Sequence, residues 1–302
     1  TVITTQGTWT QSQSTDVPSG QGFSSSLKMD CTTADASPAA SDVIIFQQRI
    51  EGQNLQYLKK GTSSAESLTL SFWVKSSKTG TYIAELYDFD NTRHICKSYT
   101  IDSASTWEKK TLTFAGDTSG AFDNDNNFSL QLGFFLGSGT ERTSGTLPTS
   151  WSTVTEANRA VGQVNLADST SNEWYITGIQ LEAGQVASDF EFLPTDVNLR
   201  RCQRYFIANF QGSAGQAYSS TNGIITLSHP VSLRANASVS QKSGVSITID
   251  VIGGSQNASS YGLAGSGHSV QSTCVTLNGL SGRTTNQGLI IANSGTQLSA
   301  EL

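Results

Sequence analysis

In Leu68-Thr69-Leu70-Ser71-Phe72-Trp73-Val74-Lys75, apolar side chains occupy every second position with small polar ones between, and only Trp73 falls on the opposite face. Successive side chains of an extended strand point to opposite sides, so this pattern describes a strand with one face on a core. The alternation returns in Thr81 to Leu86, Thr111 to Phe114, Phe128 to Leu136, Trp174 to Leu181 and Val245 to Ile252, while helical periodicity is almost absent. Turn clusters such as Lys78-Thr79-Gly80, Ala115-Gly116-Asp117 and Ile252-Gly253-Gly254-Ser255 separate the runs. Many short strands between turn signals predict an all-β fold, an antiparallel sandwich or barrel.

A single core stops growing at roughly 250 to 300 residues, so 302 residues predict two domains. The boundary is placed between Pro194 and Arg204, giving domains 1–198 and 199–302, because charge thins out there. Residues 203 to 302 carry only six charged side chains, Arg204, Arg234, Lys242, Arg283, Asp250 and Glu301, so net charge is +2 there and −8 before it. Over the whole chain charged residues make up 14%, and 79 Ser plus Thr take their place. A charge-poor surface of this size stays soluble when copies of the chain cover one another, which predicts self-association, as in a homotrimer. Two further segments stand apart: Thr5 to Ser26, a loop or a strand with a distant partner, and a long polar insertion at 137 to 172.

Several function classes fall away. No clustered Lys/Arg competes for nucleic-acid phosphates. The apolar runs are far shorter than a membrane span, so no membrane insertion is expected. Cys31, Cys96, Cys202 and Cys274 are widely separated, which disfavours zinc and predicts buried thiols in a reducing compartment. No G-x-S-x-G elbow, phosphate loop or H-E-x-x-H helix is present. Residues 262 to 267 are glycine-rich, but among strands they read as a turn rather than a phosphate loop.

The remaining chemistry is sparse. His94 and Cys96 would share a strand face as a Cys–His pair, but no local signature marks a nucleophile, so the reading is a strand histidine beside a buried thiol. Carboxylates for glycoside hydrolysis are available as Glu85 with Asp88 or Asp90, or as Glu173 with Glu182, and nothing in their spacing selects a pair. No enzymatic activity is expected. Asp123, Asp125 and Asn127 set oxygen ligands at alternate positions and are candidate Ca²⁺ ligands, although Phe128 and Phe134 occupy the places of an EF-hand's Gly and Glu. No other cofactor is expected. An exposed tryptophan is the mark of a sugar platform, and Trp151 in the polar insertion and Trp73 off the core phase are the candidate glycan contacts. Trp107 and Trp174 begin alternating runs and are assigned to the core.

Particular strings resemble a known family. Gln48-Arg49-Ile50-Glu51-Gly52, Leu68 to Ser76, and Trp107 before Thr111-Leu112-Thr113-Phe114 are followed by Ile176-Thr177-Gly178-Ile179-Gln180-Leu181-Glu182-Ala183-Gly184 and Asp189-Phe190-Glu191-Phe192. Arg201-Cys202-Gln203-Arg204-Tyr205-Phe206, His229-Pro230-Val231-Ser232-Leu233-Arg234-Ala235 and Ser299-Ala300-Glu301-Leu302 complete the series. In this order they resemble a family of bacteriophage virion proteins described as tail-fibre or host-recognition proteins. The resemblance implies a jelly-roll sandwich similar to carbohydrate-binding modules, followed by a small C-terminal β domain, and an attachment segment upstream of Thr1. Asn236-Ala237-Ser238 departs from the family, which usually has Pro in that stretch. The expected function is a virion structural protein, a tail fibre or similar appendage, that recognises the host surface by multivalent glycan binding. Its expected partners are its own copies in a homotrimer, other virion proteins and host surface glycan. A capsid-decoration or tail component without receptor binding is the alternative, and a polysaccharide depolymerase the third reading.

Overall fold

The Leu68 run forms a nine-residue strand whose apolar members Leu68, Leu70, Phe72 and Val74 all enter one core, with Trp73 on the other face. It belongs to a computed structural model that describes residues 1–208, 213–241, 248–251, 254–264, 268–283, 285, 287–293 and 296–301. The chain folds into two units, Thr1–Glu191 and Phe192–Leu302. The expected boundary at 198/199 falls inside a helix, α2 (Thr195–Gln203), that belongs to the second unit. No residue of α2 is buried, so the helix has no apolar stripe for periodicity to find.

The first unit is an antiparallel sandwich. One sheet contains β1 (Val2–Thr4), β4 (Val43–Glu51), β6 (Gly80–Asp88), β7 (Arg93–Ile101), β9 (Phe128–Ser138) and β10 (Ser152–Thr153), in the order β1-β4-β9-β6-β7-β10. The other contains β2 (Thr8–Ser14), β3 (Ser26–Thr33), β5 (Leu68–Ser76), β8 (Glu108–Phe114) and β11 (Glu173–Ala183), in the order β2-β3-β11-β5-β8. Most neighbours are not consecutive in the chain, because the chain crosses repeatedly between the sheets, as a jelly roll does. Thr5 to Ser26 contains β2, whose partner is β3.

Alternate residues of both sheets meet between them. Phe72, Phe134 and Trp174 are at most 1% exposed, with Phe72 and Phe134 edge to face at 5.1 Å and Trp174 6.1 Å from Phe134. Full burial of such a side chain stabilises the fold by roughly 1.5 to 3 kcal/mol. Trp107, expected in the core, lies instead on the outer face of the second sheet, beside Tyr175 and Lys75, with its indole N–H donated to Asp16 at 2.8 Å.

The insertion at 137 to 172 is ordered by the first sheet. It carries the short helix α1 (Thr140–Thr143) and β10, which pairs with β7 at the sheet edge. Leu147, between these elements, and Ala160, beyond β10, pack on Val43, Ile45, Ile83, Cys96 and Phe135 on the sheet's outer face in a second, smaller apolar cluster.

The second unit has a seven-stranded and a three-stranded sheet. The larger runs β17 (Gly254–Asn257), β16 (Thr248–Val251), β20 (Gly288–Asn293), β13 (Ala214–Ala217), β14 (Asn222–Ser228), β19 (Ser272–Asn278), β18 (Ser260–Leu263). The smaller contains β12 (Phe206–Ala208), β21 (Thr296–Ser299) and β15 (Ser238–Gln241). Ile225, Leu227, Val275, Leu277, Leu289 and Leu298 form its core. Of the expected strand Val245 to Ile252, residues 248 to 251 are β16 and the others lie outside the described residues, as do 265 to 267 of the glycine-rich stretch. All four cysteines are free; Cys31 and Cys96 are buried, but Cys202 is exposed and Cys274 half-buried, because neither faces the second core.

Candidate functional site

On the first sheet, the residues that alternate away from the sandwich core converge on a cavity of about 210 Å³. β4 contributes Val43, Ile45, Gln47 and Arg49 at successive outward positions, and β9 contributes Gln131 and Phe135. Tyr87 comes from the end of β6 and Phe89 from the residue beyond it, while Arg142 and Arg159 come from the insertion. The sheet supplies the floor and the insertion supplies a wall.

The floor is apolar at Val43, Ile45 and Phe135 and turns polar at Gln47 and Gln131. Gln47 and Gln131 are each 3% exposed; their side-chain amides make no hydrogen bond among the described residues and open into the cavity rather than being sealed from solvent. A primary amide carries two donors and an acceptor, and facing the cavity these groups are available to water or a ligand. Beside them the Tyr87 and Phe89 rings lie 4.2 Å apart between centres, tilted by 37°, and Phe89 meets Phe128 edge to face at 4.7 Å. Arg49 lies over the Phe128 ring at 4.4 Å.

The insertion is held to the sheet by charge. Arg159 donates to both oxygens of Glu85, and its other nitrogen reaches Glu156 at 3.2 Å. His94 donates through Nδ1–H to Glu85 Oε1 at 2.9 Å. Glu85, His94 and Cys96 place their ligand atoms within 4.8 Å of one another, the spacing of a metal triad or a thiol–imidazole–carboxylate relay. Its chemistry is closed off, because all three are 0% exposed and both Glu85 oxygens are engaged by Arg159. Burial also pushes the Cys96 thiol far up, away from the thiolate that metal binding or attack requires. Burial raises the Glu85 carboxyl too, but the His94 hydrogen bond and the Arg159 charge outweigh it and hold Glu85 below the usual carboxylate range.

The residues singled out from sequence lie elsewhere. Trp151 donates its indole N–H to the Ala115 carbonyl at 2.7 Å and rests against the main core, with Lys60 5.5 Å from its ring. Trp73 is half-buried on the outer face of the second sheet, opposite Lys109 and Thr177 in register. Neither lines the cavity. In the loop before β9, Asp125 accepts hydrogen bonds from the Asn127 amide N–H at 2.9 Å and from its side-chain amide at 2.6 Å, and Asp123 donates its backbone N–H to Asp90. Among the described residues no three His, Cys, Asp or Glu groups converge there.

The other carboxylates named from sequence are engaged. Glu173 binds Lys28 and Tyr175, and Glu182 binds Ser188. Asp88 and Asp117 receive the buried Lys60 ammonium at 2.5 and 3.2 Å, completed by the Ser119 and Gly120 carbonyls. Sequence reading passed over Gln47 and Gln131 because neutral amides carry no motif. The available signal was their phase: each occupies an outward strand position on the face where the insertion's Arg142 and Arg159 complete the cavity.

No family model matches the chain, and no curated protein matches it. Among solved structures, the bacteriophage CBA120 tailspike protein 4 enzymatically active domain is 16% identical with a TM-score of 0.35, over 61% of this chain and 19% of that one. A family 11 carbohydrate-binding module of a Clostridium thermocellum cellulosomal cellulase is 12% identical with a TM-score of 0.31, over 62% of this chain and 89% of that one. A CBM4 module is 14% identical with a TM-score of 0.30, over 57% and 77%. These likenesses assign no ligand to this chain.

Proposed function

We propose that the first unit binds glycan in the cavity on the outer face of its six-stranded sheet, and that the protein is a bacteriophage virion component, a tail fibre or similar appendage, that engages the host surface in this way. The observation that carries the binding site is the pair Gln47 and Gln131, facing the cavity and without a side-chain hydrogen bond among the described residues, beside the Tyr87 and Phe89 rings. Sugar hydroxyls satisfy amides of this kind, and the C–H face of a sugar ring packs on an aromatic one. The cavity is lined by aliphatic side chains, amides, rings and guanidinium groups and by no carboxylate, which favours binding over hydrolysis by paired carboxylates.

The virion assignment is supported by the ordered strings from Gln48 to Leu302. Self-association, as a homotrimer, is supported by the charge-poor second unit and by its larger sheet, which buries Leu289 but leaves neighbouring Ile290 50% exposed. A single sugar site binds weakly, and three sites on one fibre would raise avidity by roughly 10² to 10⁴. A glycan array probed with the assembled protein tests the binding, and host adsorption by virions lacking this protein tests the role. Retention of glycan and loss of adsorption are expected; no retention together with normal adsorption would sink the reading.

A further inference from the structure

The cavity holds three guanidinium groups, and two are neutralised within the protein. Arg159 is spent on Glu85 and Glu156, and Arg142 faces Glu156 at 3.5 Å while donating to the Ser41 carbonyl. Arg49 differs. Among the described residues it has no carboxylate partner, its Nε is buried without an acceptor, and its contacts are the faces of Phe128 and Phe89. Stacking orients the guanidinium plane but leaves its hydrogen-bonding edge unmatched. The cavity therefore carries one uncompensated positive charge in a wall that contains no acid.

We infer that the cavity selects an acidic sugar, whose carboxylate pairs with Arg49 while its hydroxyls meet Gln47 and Gln131. This rests on the glycan-binding reading above and names the class of glycan. A planar carboxylate matches the guanidinium fork, and such charge-assisted hydrogen bonds are about twice as strong as neutral ones. The chain as a whole has a net charge of −6, so an acidic polymer gains nothing from long-range attraction. Discrimination has to come from this local pair, which makes it sensitive to a single substitution.

The test uses the full chain and a panel of acidic polysaccharides, namely polygalacturonate, alginate and a sialylated capsular polysaccharide, each beside its own carboxyl-reduced form. Reduction removes the charge and keeps the ring. At least one acidic form should bind about tenfold or more tightly than its reduced partner, and Arg49→Gln should abolish the difference while Arg49→Lys keeps part of it. Equal binding of each acidic and reduced pair, or discrimination that survives Arg49→Gln, overturns the inference and leaves glycan binding standing. Absence of binding to every form, together with an empty neutral-glycan array, overturns both.

Discussion

Arg159 grips both carboxylate oxygens of Glu85, with Nη2 2.7 Å from Oε2 and Nε 3.0 Å from Oε1. Glu85 stands on the sheet and Arg159 on the insertion, so this pair decides whether the cavity has a wall. Arg159→Met strands a fully buried carboxylate, and breaking a buried pair in this way costs about 3 to 5 kcal/mol. Urea unfolding followed by tryptophan fluorescence should show that loss. The double variant Glu85→Gln/Arg159→Met should be the more stable of the two, because it leaves no charge behind.

Acid should weaken the same region. Burial pushes Asp117 up, but the Arg93 hydrogen bonds, the Ser119 amide and Lys60 outweigh it, so Asp117, like Glu85, is held below the usual range. Folded values below the unfolded carboxylate values of about 4 mean that this stability is present above that pH and is lost as pH falls through the folded values. Melting temperature should drop as pH falls below about 4, and less steeply in Glu85→Gln/Arg159→Met. An identical acid limb in both proteins would rule out the Glu85 contribution.

Lys60 acts as a built-in cation, its ammonium ringed by Asp88, Asp117 and the carbonyls of Ser119 and Gly120. Lys60→Ala leaves those oxygens facing one another and should cost about 3 kcal/mol or more. Oxygen ligands without their cation suit Ca²⁺, so millimolar calcium should raise the melting temperature of Lys60→Ala and not that of the parent. No calcium response in the variant would show that the oxygens relax apart once the ammonium is gone.

Sedimentation equilibrium should return three chains of 32.1 kDa each. Ile290→Lys, which charges the exposed position on the larger sheet of the second unit, should shift the mass toward one chain without unfolding it. A parent protein that sediments as a monomer would remove the avidity mechanism.

The fold was largely legible because it is written in alternation. The Leu68, Thr81, Phe128 and Trp174 runs all became sandwich strands, and the even phase that buries Leu130, Leu132 and Phe134 is visible in the letters. The helix after Pro194 was not legible, since an exposed helix leaves no apolar period. Trp107 misled for a related reason: it precedes its strand, where phase says nothing about the face taken. The site was hidden at another level. Outward positions 47, 49, 87 and 131 read as solvent-facing until Arg142 and Arg159, from an insertion distant in sequence, wall the cavity beside them, and nothing local encodes that wall.

In the proposed site Gln47 and Gln131 meet the sugar. Neither side-chain amide makes a hydrogen bond among the described residues, so Gln47→Leu/Gln131→Leu removes ligand contacts without removing internal ones seen there, and the melting temperature should hold or rise. Calorimetric titration of parent and double variant with the polysaccharide that the parent retains is the direct measurement. A loss of about tenfold or more in affinity, with stability intact, is the predicted result. Equal affinities, or a parent that retains no polysaccharide, would contradict the account.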